Sequence, residues 1–167
     1  MCVMENVLQK LQKGKVEEVR ATARELIRKS RDDPEGWFLM GMVSHYKGNE
    51  GYALECFERA LYLQKSEKFH KAKSIAHMAL FEFEEAAEDL KKALAMNKDP
   101  ESHFLLSIAL MFLSHPEASD QMLEAYRLNP GKTREMLQNF FRAFFRDDPS
   151  IPEKEKKEIM RILSGEK

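Results

Sequence analysis

Apolar residues recur along the chain with the period of an α-helix, and turn-forming residues separate one apolar stretch from the next. Phe83, Ala86 and Leu90 show this period, because they stand about one turn apart among the carboxylates of residues 82–89. Glycine, proline and good N-cap residues mark the ends of such stretches. The pattern predicts helices near 3–13, 16–30, 35–47, 50–64, 67–80, 83–97, 100–113, 116–128, 132–146 and 153–164.

Glycines and prolines punctuate these helices in two ways. Glycines at predicted helix ends suit a backbone with positive φ, and they are Gly14, Gly48 and Gly131. Prolines in predicted first turns lose no hydrogen bond there, and they are Pro34, Pro100, Pro116 and Pro152. Asp33 and Asp99 each precede one of these prolines and are good N-cap residues. The chain therefore consists of helices joined by short turns.

Small residues recur with a fixed spacing between helices. Gly41, Ala53 and Ala60 form one set. The equivalent sets, offset by 32 or 33 residues, are Ser74, Ala86 and Ala93, and then Ser107, Ala118 and Ala125. Small side chains let two helices pack at the short end of the interaxial range of about 8–10 Å. The spacing predicts a helix–turn–helix unit that repeats three times.

This unit resembles the tetratricopeptide repeat. Its first copy contains Trp37, Gly41, the turn glycine Gly48 and the aromatic Phe57, although Ser44 replaces the family's usual tyrosine. The resemblance implies an all-α fold, a right-handed superhelical solenoid of antiparallel helix pairs with about ten helices. We expect a degenerate repeat or capping hairpin at 1–33, three repeats at 34–130, and capping helices at 131–167.

The resemblance also implies where a partner binds. In this family the first helix of each pair lines a concave groove, and the ligand-contacting places follow the tryptophan position by one, five, eight and nine residues. In this chain the groove residues expected on this basis are Phe38, Met42, His45, Lys71, Ile75, Met78, Phe104, Ile108 and Met111, with Tyr46, Ala79 and Phe112 at the ninth places. These offsets lie on one face of a helix.

The predicted groove is mostly apolar, and its methionines suit a surface that adapts to a partner's shape. Such a groove favours the apolar face of an amphipathic helix or an apolar peptide. Met42 and Ile75 stand where the family's carboxylate clamp has asparagine, which disfavours a chaperone-tail adaptor. We therefore expect a scaffold or adaptor that binds a protein or peptide.

An unusually wide apolar stripe occupies residues 136–145. Its aromatic members are Phe140, Phe141, Phe144 and Phe145. Three outcomes are open: the stripe packs on the third repeat and the last helix, it mediates a homodimer, or it fills the concave groove. A self-associating structural protein is therefore an alternative function.

Charge is distributed unevenly between the two ends of the chain. Residues 1–31 carry 8 basic and 4 acidic side chains, whereas the whole chain has a net charge of −1. Arg20, Arg24, Arg28 and Arg31 follow one side of the second helix, so contact with an acidic or nucleic-acid partner is a further alternative. Glu17 and Glu25 are spaced to pair with this row, and no aromatic stacking platform is evident, which disfavours nucleic acid.

No pattern indicates catalysis. Tyr126 stands where a phosphate-binding loop ending in Gly131-Lys132-Thr133 would need glycine. No two histidines have the spacing of helical metal ligands, and Cys2 and Cys56 lack partners for a zinc site. We therefore expect no enzymatic activity, no cofactor and no metal. Without a signal peptide or an apolar run of membrane-spanning length, we expect a cytoplasmic protein without membrane attachment.

Overall fold

The computed structural model describes residues 3–164, with the side chains of Val7 and of residues 9–163, and shows helices and turns throughout this range. Residues 1–2 and 165–167 of the predicted terminal segments lie outside the described residues. The helices in this range are α1 (Val3–Gln12), α2 (Val16–Lys29), α3 (Pro34–Tyr46), α4 (Glu50–Leu63), α5 (Glu67–Ala79), α6 (Phe83–Met96), α7 (Pro100–Phe112), α8 (Ala118–Leu128), α9 (Pro130–Phe144) and α10 (Glu153–Ser164).

Two helices begin at a capped proline turn, as predicted. The Asp33 carboxylate accepts a hydrogen bond from the Gly36 backbone N–H at 2.9 Å, and Pro34 is the first residue of α3. Asp99 and Pro100 open α7 in the same way. The side-chain oxygen satisfies a backbone N–H that has no partner within the helix. Proline at the first position has no N–H to lose.

Two predicted helix starts are shifted by two residues. Helix α9 begins at Pro130, because the Asn129 side chain accepts a first-turn backbone N–H at 3.0 Å. Gly131 therefore lies inside the first turn, and its predicted role at a helix end is wrong. Helix α8 begins only at Ala118, because Pro116 belongs to a turn that precedes it.

The helices pair into antiparallel hairpins that stack into a right-handed superhelical solenoid, which confirms the predicted fold class. Helices α3 and α4, α5 and α6, and α7 and α8 form hairpins, and each hairpin packs on the next. One buried cluster surrounds Phe38, Phe57 and Phe69 in the N-terminal half. Further clusters lie around Leu90 between α6 and α7, and around Phe104 where α9 meets α7. The core thus runs along the stack.

Gly41 shows why the repeat needs small residues. A Cβ atom at this position would lie 2.5 Å from Cε1 of Phe57 on the paired helix. Ala53 and Ala60 are fully buried on α4, the helix that carries Phe57. The predicted close approach is present, and the group that fills the space over Gly41 is an aromatic ring.

The turn inside each hairpin uses the same left-handed backbone conformation. Gly48 has φ +73°, Phe81 has φ +62° and Ser114 has φ +54°, and these residues are 33 positions apart. Glycine adopts this conformation freely, whereas a side chain makes it unfavourable. The second and third repeats therefore make the turn of the first with residues poorly suited to it.

Candidate functional site

The predicted groove residues of the first repeat are largely enclosed. Phe38 is 0% exposed, and the centre of its ring lies 5.1 Å from that of Phe69 and 6.0 Å from that of Phe57. Met42 is buried in the same cluster, and α1 contacts the same helix. A partner contact at Phe38 or Met42 stays a prediction, and the folded chain offers little of either side chain to a partner.

His45 has an intramolecular partner within its own hairpin. Its Nδ1 lies 2.7 Å from a carboxylate oxygen of Glu50, at the start of the paired helix. His77 and Glu82 repeat this contact at 2.7 Å in the second repeat. These two contacts tie the end of one helix to the start of the next, which is a structural role.

Lys71 is also engaged inside the chain. Its buried ammonium group donates to Asp99 at 3.0 Å and lies 3.5 Å from Glu101. The second oxygen of Asp99 accepts the Ser102 hydroxyl at 2.6 Å. Burial raises the pKa of Asp99, but the hydrogen bonds from Ser102 and the charge of Lys71 outweigh it, so the pKa is lowered overall. Lys71 thus holds α5 to the start of α7.

An apolar pocket of about 260 Å³ opens between α5, α7 and α9. Six predicted groove residues line it together, namely Ile75, Met78, Ala79, Phe104, Ile108 and Phe112. Phe104 and Ile108 are buried, whereas Ile75 and Met78 keep part of their surface exposed. The other lining residues are Phe81, Phe83, Leu105, Phe140 and Phe144. Every lining residue is apolar.

Aromatic rings form two sides of this pocket. The rings of Phe83 and Phe112 stack with their centres 4.5 Å apart, and Phe81 meets Phe83 edge to face at 6.2 Å. Phe140 and Phe144 lie 4.8 Å apart. Phe81 is 77% exposed and Phe144 is 62% exposed. Contiguous exposed apolar surface of this kind marks interaction sites on proteins.

Phe81 combines exposure with an unfavourable backbone. A bulky residue with positive φ is an outlier, and such strain clusters at functional sites. Glycine would make this turn without strain, as Gly48 does in the first repeat. The phenylalanine side chain, which lines the pocket, gives this position a reason to tolerate the strain.

The phenylalanine stripe of α9 is divided between two environments. Phe141 is buried, and α9 contacts α7, α8 and α10. Phe140 packs on the cluster that contains Phe104 and also borders the pocket. The first predicted outcome, packing on the third repeat and the last helix, describes the buried part of the stripe. Phe144 remains exposed, so self-association through Phe140, Phe141, Phe144 and Phe145 stays a prediction.

Met111 lies on α7, as Phe104 and Ile108 do, but it lines a separate cavity. This cavity has a volume of about 320 Å³ and lies between α7 and α8, with Met122 on its other side. Met111 is exposed, and Ile108 borders both cavities. The structure thus separates Met111 from Ile75, Met78 and Phe104, and Met111 shares a cavity only with Ile108 among these predicted groove residues.

The histidines at equivalent places in adjacent repeats, His70 and His103, each have a partner within their own hairpin. Nδ1 of His70 lies 2.8 Å from Asp89, and Nδ1 of His103 lies 2.8 Å from Gln121, each within its own hairpin. In residues 3–164, no cluster of three or more histidine, cysteine or carboxylate side chains is arranged to hold a metal ion. None of the described helices has both the length and the apolar character needed to cross a bilayer.

Sequence reasoning missed Phe81 and Phe83. Neither stands at an offset where the family contacts its ligands, and helical periodicity indicates only that the turn between paired helices connects them. The available signal was the 33-residue register, which places Phe81 at the position of the turn glycine Gly48. The geometry of this turn favours glycine, so a large apolar residue there indicates a role other than forming the turn.

The stacked hairpins define a helical-repeat protein. Residues 34–67, which contain the first repeat, match the tetratricopeptide repeat family. The chain therefore contains a tetratricopeptide repeat at these residues. No curated protein matches its sequence.

Solved structures support the same fold at low sequence identity. A crystal structure of MamA has a TM-score of 0.69 and 14% identity, and the alignment covers 99% of this chain and 94% of that one. MamA from Desulfovibrio magneticus RS-1 has a TM-score of 0.69 and 21% identity, covering 97% and 91%. TTC0263, a thermophilic tetratricopeptide-repeat protein of Thermus thermophilus, has a TM-score of 0.67 and 19% identity, covering 78% and 75%.

Proposed function

We propose that this protein is a scaffold or adaptor whose pocket between α5, α7 and α9 binds apolar side chains from an amphipathic helix of another protein. The observation that carries the proposal is the exposed aromatic rim, above all the strained Phe81. The proposal assigns no reaction to the chain. The cytoplasmic location stays a prediction from the sequence.

The size of the pocket suits large apolar side chains. A protein cavity of about 150 Å³ lined by leucine, isoleucine and phenylalanine holds a benzene molecule. A pocket of about 260 Å³ therefore has room for at least one aromatic or branched aliphatic side chain. Side chains that fill such pockets supply most of the binding energy of protein interfaces.

The composition of the lining favours a helix over an extended peptide. An extended peptide needs partners for its backbone N–H and C=O groups, and this lining consists only of apolar side chains. A helix satisfies its own backbone and presents apolar residues at every third or fourth position. The proposal therefore commits to a helical partner segment, and an extended one would contradict it.

A pair of variants at equivalent exposed places tests the pocket. Ala79 lines it, whereas Tyr46 occupies the same place in the first repeat and does not. Helical peptides are selected from a random library on the immobilised protein, and their affinities for purified variants are measured by fluorescence anisotropy. We expect Ala79→Arg to weaken binding at least about tenfold and Tyr46→Arg to leave it within about twofold.

If selected peptides bind Ala79→Arg as tightly as the unmodified protein, the pocket is not the binding site. Circular dichroism of both variants checks the fold, which we expect to persist because both side chains are exposed.

A second copy of the chain is the competing occupant, because Phe144 is exposed beside the pocket. Sedimentation velocity of the unmodified protein and of Ala79→Arg separates the two cases. A dimer that Ala79→Arg dissociates would assign the pocket to self-association. A monomer at micromolar concentration leaves the pocket free for another protein.

A further inference from the structure

A basic cleft formed by residues of α2, α3 and α4 lies apart from the apolar pocket between α5, α7 and α9. Two adjoining open depressions of about 400 Å³ and about 300 Å³ share Arg20 and Arg24, and the larger is lined by residues of α2 alone. The first also has Arg28 in its lining, and the second has Lys47 and Tyr52. The cleft thus joins the outer row of arginines on α2 to the end of α3 and the start of α4.

The carboxylates within the cleft neutralise only part of this charge. Glu17 accepts hydrogen bonds from Arg20 at 3.3 Å and from Lys47 at 3.0 Å, and Glu25 pairs with Lys29 at 2.8 Å. Among the described residues, Arg24 and Arg28 form no ion pair within 4 Å.

Glu17 shows how the cleft treats a carboxylate. The hydrogen bond from Lys47 is the main cause that lowers the pKa of Glu17, and the charges of Arg20 and Arg24 reinforce it. The cations of the cleft therefore stabilise a carboxylate in its charged form.

We propose that this cleft binds an acidic helix of a second protein, with carboxylates at every fourth position facing Arg20, Arg24 and Arg28. The three arginines stand four residues apart on α2, which places successive side chains about 6 Å apart along its axis. Carboxylates four residues apart on a partner helix have the same spacing, so each can meet one arginine. The match makes the chain an adaptor with two separate surfaces, one apolar and one basic.

Nucleic acid fits the cleft less well than an acidic helix. Proteins that bind single strands combine cations with aromatic rings on which successive bases stack. Among the described residues that line these two depressions, Tyr52 is the one aromatic residue, and it forms a side-chain hydrogen bond with Cys56. The cleft therefore offers charge without a stacking surface.

The test uses a synthetic helical peptide with glutamate at every fourth position and a control peptide with glutamine at the same places. Affinities are measured by fluorescence anisotropy at low and at physiological ionic strength. We expect the double variant Arg24→Ala, Arg28→Ala to weaken binding of the glutamate peptide about tenfold, which corresponds to about 1.4 kcal/mol. We also expect binding to weaken with added salt.

A matched variant with the same loss of charge is Lys91→Ala, Lys98→Ala, because both lysines are exposed and lie on or beside α6, away from the cleft. We expect it to bind the glutamate peptide within about twofold of the unmodified protein. Equal binding of the glutamate and glutamine peptides would overturn the proposal, as would an unchanged affinity in the arginine variant. Tighter binding of a single-stranded oligonucleotide through Arg24 and Arg28 would assign the cleft to nucleic acid instead.

Discussion

The seam between α3 and α5 and the seam between α5 and α7 occupy equivalent places in the repeat, but different chemistry closes them. In the first, the rings of Phe38 and Phe69 meet at 5.1 Å, and the Lys68 ammonium lies 5.4 Å and 5.1 Å from their centres. In the second, Lys71 and Ser102 stand 33 residues later at these two places and meet through Asp99.

The difference shows how one repeat array makes both a sealed core and an open pocket. Two rings in contact fill the space between neighbouring helices within a buried apolar cluster. A lysine, a carboxylate and a serine hold the helices at one point by hydrogen bonds and leave the apolar faces further along uncovered. The open pocket lies along the seam that has the polar contact.

The largest expected effect comes from removing the centre of the polar contact. Asp99→Ala removes the N-cap of α7 and leaves the buried Lys71 ammonium without its closest partner. Breaking a buried pair costs about 3–5 kcal/mol, so we expect the free energy of unfolding to fall by about 3 kcal/mol in urea denaturation.

Asp33→Ala is the matched control, because Asp33 caps α3 in the same way and has no ion pair among the described residues. We expect a loss of about 1 kcal/mol, the usual contribution of a cap. Equal losses in the two variants would mean that the contact between Lys71 and Asp99 adds nothing beyond capping.

Asp99 also makes the stability contributed by the seam between α5 and α7 depend on pH. Because its pKa is lowered in the folded state, its contribution is complete above the unfolded-state pKa of about 3.9 and is lost as the pH falls through the folded-state value. We expect the stability difference between the unmodified protein and Asp99→Asn to shrink below about pH 4. A difference that stays constant down to about pH 2 would contradict the lowered pKa.

In the N-terminal half, where aromatic rings close the seam between α3 and α5, added side-chain volume is expected to lower the stability of the fold. Gly41→Ala places a methyl group against the Phe57 ring, and we expect a loss of about 1–3 kcal/mol in thermal or urea unfolding. Gly51→Ala is the control, because a Cβ atom at this position of α4 meets nothing within 4 Å. It should stabilise the protein by up to about 1 kcal/mol, since alanine favours the helix.

Smaller effects on stability are expected at the turns within the second and third repeats. Phe81→Gly and Ser114→Gly each relieve a left-handed backbone, and we expect each to raise the free energy of unfolding by about 0.5–1 kcal/mol. Only Phe81 lines the pocket, so only Phe81→Gly should weaken the selected helical peptides, by about tenfold. If both variants bind these peptides normally, the Phe81 ring is not part of the site.

The last prediction concerns the reactivity of Cys56, which is the single cysteine among the described residues. Burial in the sealed half raises the pKa of Cys56 to about 11, so little thiolate is present near neutral pH. We expect alkylation of the Cys56 peptide, followed by mass spectrometry, to be very slow until denaturant is added. Rapid labelling of the native protein would show that this hairpin opens easily.

The sequence predicted the fold because repetition made each signal visible several times. Small residues such as Gly41 and caps such as Asp99 recur at one spacing, and each has a local physical reason that needs no knowledge of the whole structure. The two misplaced boundaries fall at Pro116 and Gly131, outside this regular register, where local turn chemistry decides which residue begins the helix.

The site was less predictable, because exposure depends on what neighbouring helices cover. Phe38 and Phe104 occupy equivalent groove places, and both are buried, one beneath Phe69 and the other beside α9. Ile75 and Met78 do line the open pocket, as part of the predicted groove. Phe81 enters it from a turn, which the position of the residue in the repeat indicates and periodicity within a helix does not.

The open pocket also determines how the array is coupled as it unfolds. In a linear repeat protein, cooperativity depends on the interfaces between neighbouring units. The pocket leaves unmade some of the contacts that would join the second repeat to the third across their first helices. An apolar side chain bound there would touch α5, α7 and α9 together, so part of its binding energy would become coupling between repeats. A bound partner would thus make the two halves unfold more nearly as one unit.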